Sequence, residues 1–312
     1  MMLSAEPGVS DRATGPRVAI TGASGLLGSA LAVRLREDGS TVHRLKRGTR
    51  ALAPDIAWNP DAGTIDAAAL EGVDAVVNLA GESLLQRWSE GRKRRIRESR
   101  VRSTTLLARA LASLRQPPRV LLSGSAIGIY GDRGEEELDE RSSAGSDFLA
   151  SVAREWEQAA EPARAAGIRV TLLRTGVVLS RRGGALAKML LPFRMGIGGR
   201  IGAGGQWMSW IALTDWVRAT LFLLSRDALA GPVNLVAPNP VPNHVFAKTL
   251  ARVLSRPALA PVPSGAVGLI FGEMGRATIL ASQRIHPRRL LEAAFEFEHP
   301  TLEGALRQEI RG

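Results

Sequence analysis

The stretch RVAITGASGLLGSALAVRLREDG, residues 17 to 39, constrains the fold more than any other part of the chain. A short apolar run at Val18 to Ile20 passes through glycines into a pattern where Leu26, Leu27, Ala30, Leu31 and Leu35 recur at helical spacing, and Gly39 supplies a C-terminal stop. That order is strand, turn, helix. Within the turn, Gly22, Gly25 and Gly28 stand at G-x-x-G-x-x-G spacing. Glycines alone say little, because any tight turn uses them. Between a strand and a helix they have separate tasks: Gly22 makes the turn, Gly25 lets a pyrophosphate approach the backbone, and Gly28 lets the helix pack closely on the strand. Gly22, Ala23, Ser24, Gly25, Leu26, Leu27 and Gly28 are therefore expected to bind a dinucleotide. Its phosphates would face the unpaired N–H groups and positive dipole end of the helix.

The rest of the chain alternates. Strand candidates are TVHRLKR (41–47), AVVNLAG (75–81), RVLLSGSA (119–126), RVTLLRTGVVLS (169–180) and PVNLVAP (232–238), with helical stretches at Trp88 to Leu114, Asp147 to Ala165 and Thr214 to Ser225. This pattern predicts an α/β fold, a Rossmann-type doubly wound parallel sheet with helices on both faces and a small, mostly helical C-terminal substrate-side region. Residues 1–15 read as a loose tail, and 16–180 as the nucleotide-binding domain, its sheet completed by strand 232–238. Residues 181–231 read as a substrate-side loop and helix region whose glycines suit a loop that moves or packs against a ligand. Residues 239–312 read as a C-terminal cap.

Composition removes several function classes. The chain has no cysteine, so it has neither disulfide nor thiolate nucleophile, and its four histidines lack ligand spacing, so no metal site is expected. No signal-peptide run and no stretch of 18 apolar residues occurs, which points to a cytoplasmic protein without a membrane partner. The net charge of +11, concentrated in GRKRRIRESRVRS, would suit nucleic acid. No recognised binding module accompanies it, and lysine occurs only at positions 46, 93, 188 and 248, so the arginine excess reads as compositional bias and no nucleic-acid partner is expected. The expected partner is a small-molecule substrate, with monomer and homodimer both open.

NAD binders usually carry Asp or Glu about 20 residues beyond the glycine turn. Here that neighbourhood reads HRLKRG, with Arg44, Lys46 and Arg47 where a 2′-phosphate would sit. NADP(H) is thus favoured over NAD(H), with Arg47 best placed and Arg44 at least as well read as facing water. The strand end NLAGE would lie at the carboxyl edge of the sheet, where Asn78, Leu79, Ala80 and Gly81 could line the nicotinamide ribose, with Ser123 on the neighbouring strand. Glu82 is either a proton-exchanging carboxylate or a cap for the following segment.

Several motifs together resemble the short-chain dehydrogenase/reductase superfamily: TGASGLLG, NLAGE, SGSAIGIYG, FLASVAREWE, RTGVVLS and the GGRIGAGGQWMSWIALTDW block. Their order is similar to its atypical, NAD(P)-dependent epimerase/dehydratase-like subgroup. These are the "epimerase family" proteins with a C-terminal DUF1731-type domain, some of which carry cell-division-inhibitor names. The resemblance implies NADP-type cofactor binding and a serine, here Ser125, that holds the substrate oxygen. It also implies that the superfamily's tyrosine and lysine fall at Phe148 and Val152, which can supply neither proton nor charge. Tyr130, the only tyrosine, either takes over proton transfer or packs beside the pocket. Substrate-side candidates are Gln206, Ser209, Trp210, Asp215 and Arg174. Asp215 reads equally as a helix cap, Ser209 as a backbone brace and Arg174 as partner to a buried acid. Two functions follow as expectations: an NADP(H)-dependent, epimerase-like oxidoreductase of a small polar substrate, in which Ser125, Tyr130 and Glu82 act, or a non-catalytic NADP(H)-responsive regulatory protein.

Overall fold

The expected strand, turn and helix form β1 (Arg17–Thr21) and α1 (Leu26–Glu37) in a computed structural model that describes residues 15–258 and 260–311. Residues 1–14, nearly all of the expected tail, lie outside the described residues. After β2 (Thr41–Arg47) comes a hairpin of β3 (Ile56–Asn59) and β4 (Thr64–Ile65), which the sequence patterning did not reveal. Then follow β5 (Ala75–Asn78), α2 (Glu90–Ala112), β6 (Val120–Ala126), β7 (Glu137–Leu138), α3 (Phe148–Gln158), α4 (Glu161–Ala165) and β8 (Arg169–Thr175). Next are β9 (Val177–Leu179), α5 (Gly184–Arg194), β10 (Trp207–Met208), β11 (Trp210–Ala212), α6 (Leu213–Ser225) and β12 (Gly231–Leu235). The chain ends with β13 (Val241–Pro242), α7 (Asn243–Val253), α8 (Ser264–Phe271), β14 (Arg284–Ile285), α9 (Arg288–Glu292) and α10 (Leu302–Arg311).

Eight strands form one sheet in the order β12-β8-β6-β5-β1-β2-β3-β4, parallel throughout except at the β3/β4 edge. Alternate strand residues feed two cores. Val18, Ile20, Val77 and Leu122 pack against α1 and α6, whereas Ala19, Val76, Leu121 and Val170 pack against α2 and α4. Burial on both faces is why these strands read as nearly continuous apolar runs. This is the doubly wound, Rossmann-type architecture.

Two expected elements divide, each for a local reason. RVTLLRTGVVLS breaks at Gly176, where a Cβ would lie 2.6 Å from Val236 Cγ1 and 2.7 Å from the Ser209 carbonyl oxygen. Beyond that glycine the chain leaves the main sheet, and β9 pairs in parallel with β11. The expected helix 147–165 becomes α3 and α4, with Pro162 in the first turn of α4, the one part of a helix where its missing N–H does no harm. A third core joins α5, α7 and α10 through Leu186, Phe193, Phe246, Leu250 and Leu306. The C-terminal segment returns to the body of the protein, where β14 pairs with β7.

Candidate functional site

The glycine turn has the shape its spacing suggests. Gly22 adopts φ +65°, and a Cβ there would lie 2.6 Å from the Leu79 carbonyl oxygen. A Cβ on Gly28 would run into the Gly22 carbonyl, so α1 approaches β1 only because residue 28 has no side chain. The Gly25 N–H donates to Gly22 O at 2.9 Å. Gly25 is the N-cap of α1, makes no side-chain capping bond, and no acidic residue occupies the first turn. The leading N–H groups of the helix are therefore open to an anion. A pyrophosphate fits this cradle, which any Cβ would fill. Ser24 and Gly25 are exposed at its mouth; Ala23, Leu26 and Leu27 are half-buried, with Leu26 against Gly183 and Gly184 at the start of α5.

At the adjacent strand end the side chain of Asn78 is committed to the interior. Thr21 Oγ1 donates to Asn78 Oδ1 at 2.7 Å and accepts from the Leu79 and Ala80 N–H groups at 2.9 and 3.0 Å. Asn78 Nδ2 donates to Thr104 Oγ1 at 2.8 Å, which also accepts from Trp156 Nε1 at 2.9 Å. This chain of bonds holds the carboxyl edge of the sheet to α2 and α3. Ala80 is buried and Gly81 exposed, while Ser123 Oγ is buried with no partner among the described residues.

The three cations beyond β2 are not equivalent. Arg44 makes a two-pronged pair with Asp55 at 2.8 Å for each bond, and Lys46 Nζ lies 2.7 Å from the same carboxylate. The Arg44 hydrogen bond, opposed by burial and aided by Lys46, holds the Asp55 carboxyl down at about 2. Arg44 thus faces a carboxylate rather than open water. Arg47 is exposed and has no partner among the described residues. A surface cavity of about 720 Å³ lies alongside, lined by Gly48, Thr49, Arg50, Ala57 and Asp66 among others.

Glu82 does not stand free in a pocket. Its Oε2 lies 3.2 Å from Arg92 Nη1 and 3.8 Å from Arg95 Nε, both on the first turns of α2. Its N–H donates to Ser99 Oγ at 3.1 Å.

Ser125, Tyr130 and Arg174 are brought together, but around a residue the sequence patterning passed over. Ser125 Oγ donates to Glu157 Oε1 at 2.7 Å; Arg174 meets the same carboxylate through Nε at 2.8 Å and Nη2 at 3.0 Å. Arg174 Nη1 donates to Tyr130 OH at 3.0 Å, and that hydroxyl donates to Asn234 Oδ1 at 2.7 Å. The Asn234 N–H in turn donates to Glu140 Oε1 at 2.9 Å. Burial pushes the Tyr130 phenol up, outweighing the downward pull of Arg174, and burial likewise raises Glu140. Arg174 is half of a buried ion pair, and Tyr130 is fully buried within it.

Comparison with known proteins places this geometry. Residues 18–258 match the family model described as the NAD dependent epimerase/dehydratase family. The chain belongs to that family. Residues 262–309 match a domain of unknown function, DUF1731. An epimerase family protein of Mycobacterium bovis is 44% identical over 290 residues, covering 93% of this chain and 96% of its own. YfhF of Bacillus subtilis is 36% identical over 298 residues, covering 94% and 97%. The crystal structure of human epimerase family protein SDR39U1 with NADPH superposes with a TM-score of 0.85 at 34% identity, covering 95% of this chain and 99% of that one.

In this epimerase family chain Ser209 and Asp215 brace the C-terminal segment. Ser209 Oγ donates to Gln283 O at 2.8 Å and accepts from the Ile285 N–H at 2.9 Å. Asp215 is buried and accepts from the N–H groups of Glu298 and His299 at 2.8 and 2.9 Å, so it caps a neighbouring segment, while its own helix α6 has no side-chain capping bond. Trp210 is wholly buried with Nε1 on Asn239 O, and Gln206 Nε2 donates to Ile201 O at 3.2 Å. Gly202 N–H donates to Val262 O at 2.8 Å and Val262 N–H to Arg200 O at 2.9 Å, so the glycine-rich loop is laced to the segment that follows α7. The residue missed, Glu157, had a signal: an arginine inside the apolar run LLRTG needs an acid on the facing helix.

Proposed function

We propose that this chain is an NADP(H)-binding, epimerase-like oxidoreductase acting on a small polar substrate. The observation that carries the proposal is the uncapped glycine cradle at the start of α1, with one unpaired cation, Arg47, at the end of the next strand. The human relative solved with NADPH supports the same cofactor here. Gly22 to Gly28 would hold the pyrophosphate, Arg47 the 2′-phosphate, and the backbone of Leu79 to Gly81 the nucleoside side of the cleft. Once bound, the nicotinamide supplies hydride exchange. Ser125, whose own proton is directed to Glu157, offers its lone pairs to a ligand hydroxyl. Tyr130 and Glu82 are poor proton carriers in this arrangement, the first because it is buried and bonded on both sides, the second because two arginines face it.

Among the described residues no helix is long and apolar enough to cross a membrane. The cations of α2 largely meet carboxylates, Lys93 with Glu273 at 3.1 Å, Arg97 with Glu155 at 3.3 Å and Arg102 with Glu98 at 2.9 Å. This pairing favours a small-molecule partner over nucleic acid. The test is calorimetric titration of nucleotide-free protein with NADPH and with NADH. Tighter NADPH binding, weakened by Arg47→Asp, supports the cofactor site; absence of binding by either nucleotide removes it. Substrate-dependent NADPH oxidation across carbonyl and sugar-nucleotide panels, lost in Ser125→Ala, then tests the chemistry.

A second reading, a non-catalytic protein whose interactions respond to NADP(H), is favoured by Phe148 and Val152 on α3 and by the burial of Tyr130. Partners captured equally with and without NADPH would count against it.

A further inference from the structure

The face of α2 turned to the interior carries Ile96, Ser103, Thr104, Leu107 and Leu111, and the helical period places Arg100 on that same face. Its guanidinium is anchored by neutral groups only. Nη1 donates to Ile96 O at 3.0 Å and Nη2 to Glu82 O at 2.9 Å, while the guanidinium carbon lies 5.2 Å from the Trp156 ring. A Cβ on Gly81 would lie 3.2 Å from that carbon, which puts the charge directly beneath the loop leaving β5. Lys93 and Arg97, on the same side of α2, each have a carboxylate; Arg100 has none within ion-pair distance among the described residues. Three of its five N–H donors are left without a partner there. Burial draws its pKa down to about 10, with Glu82 pulling weakly the other way, so it is charged at neutral pH.

A half-buried guanidinium with three free donors and no carboxylate within ion-pair distance among the described residues is placed to share an anion that reaches it. It stands at the carboxyl edge of a parallel sheet, where open α/β folds bind ligands. On α3 residue 152 is a buried valine, and the one cation of that helix, Arg154, is exposed and donates to Gly145 O at 3.2 Å.

We propose that Arg100 is an anion-binding residue of the site, taking a phosphate or carboxylate carried by the dinucleotide or by the substrate. The inference rests on the NADP(H) reading above. A planar fork of donors suits such an oxyanion, and the two carbonyl bonds fix its orientation before the ligand arrives.

The experiment compares wild type, Arg100→Lys and Arg100→Gln by calorimetry, with unfolding midpoints measured alongside. Glutamine keeps a donor for the carbonyls but no charge; lysine keeps the charge. If the oxyanion is on the dinucleotide, Arg100→Gln weakens NADPH and NADH alike by about tenfold, while Arg100→Lys stays within about threefold of wild type. If it is on the substrate, NADPH binding is unchanged, and inorganic pyrophosphate binds the NADPH-loaded wild type and Arg100→Lys but not Arg100→Gln. Wild-type behaviour of Arg100→Gln toward both probes, or equal losses in the two variants, overturns the inference. Should Arg100→Gln not fold, Arg100→His titrated with NADP+ and with pyrophosphate at about pH 5.5 and about pH 8 replaces it. Tighter binding of either probe at the lower pH, relative to wild type, supports the inference, and an unchanged ratio for both overturns it. A wild type that takes no NADPH overturns the cofactor reading itself, a result separate from any difference among the variants.

Discussion

Ser125 Oγ on β6 and Nε of Arg174 on β8 both donate to one oxygen, Oε1 of Glu157, at 2.7 and 2.8 Å. The two strands are neighbours with Ser125 opposite Arg174, so the carboxylate on α3 bridges adjacent positions of the sheet. The ion pair is nearly out of solvent, with side-chain exposures of 10% and 12%. Removing one partner of such a pair strands the other charge.

Glu157→Ala is therefore expected to lower unfolding free energy by about 3–5 kcal/mol. Glu157→Gln, which keeps an acceptor for Ser125, should cost less, and leucine at both 157 and 174 should recover much of the loss. Urea denaturation of the four proteins checks this; a wild-type midpoint for Glu157→Ala refutes it.

Tyr130 offers a clean titration because it is the only tyrosine. Burial raises its pKa above the ordinary phenol value of about 10 in spite of Arg174. With the folded value raised, the stabilisation is fully present below about pH 10 and is lost as pH rises through the folded pKa. Tyrosinate absorbance should appear only at higher pH than in the urea-unfolded chain, and unfolding should follow. Ionisation at or below the unfolded value would show that the phenol is poised for proton transfer after all.

The glycine turn, the alternation of strands and helices and the cationic end of β2 were legible because each rests on local spacing. The network around Glu157 was not, because it joins β6, β8, α3 and the β12 strand, and no periodicity within one segment reports which distant side chains share a carboxylate. For Ser209 and Asp215 the residue types admitted a backbone brace and a cap as readily as a pocket role, but not which segments they hold. Their partners, Gln283, Ile285, Glu298 and His299, lie about 70 to 85 positions away and enter through backbone N–H and C=O groups, which leave no mark on residue type. Arg100 was legible in principle, as one charge on an otherwise buried helical face.

Asp55 bears on cofactor choice. Its single negative charge is shared by Arg44 and Lys46 beside the position proposed for the 2′-phosphate. Asp55→Asn should strengthen NADPH binding relative to NADH by a few-fold. Because Arg44 and Lys46 hold the carboxyl at about 2, Asp55 stays ionised between about pH 5 and 8, and the difference should grow only as the 2′-phosphate takes its second charge near about pH 6. The pair's stabilisation is about 1 kcal/mol or less, since both cations are well exposed. With a depressed folded pKa it is present above the unfolded value of about 3.9 and lost as pH falls toward 2. Titrations of both nucleotides at two pH values check the first point; equal NADPH and NADH responses would place the 2′-phosphate elsewhere.

Gly25 and Gly28 separate binding from folding. A Cβ on Gly28 meets the Gly22 carbonyl and lies 2.8 Å from Ala23 Cα, so Gly28→Ala must push α1 off the turn at a cost of about 1–3 kcal/mol. At Gly25 the one atom outside the adjoining residues that a Cβ would meet within 4 Å, among the described residues, is Gly22 O at 3.3 Å, and its φ of −77° suits any residue. Gly25→Ala should therefore fold with a midpoint within about 2 °C of wild type. Its methyl group, however, stands at the N-cap where the phosphates must reach the helix N–H groups. NADPH affinity should fall in both variants, and thermal stability only in Gly28→Ala. If Gly25→Ala binds NADPH like wild type, the pyrophosphate does not lie over the start of α1. The charge at Arg100 would then be the next place on the sheet edge to look for it.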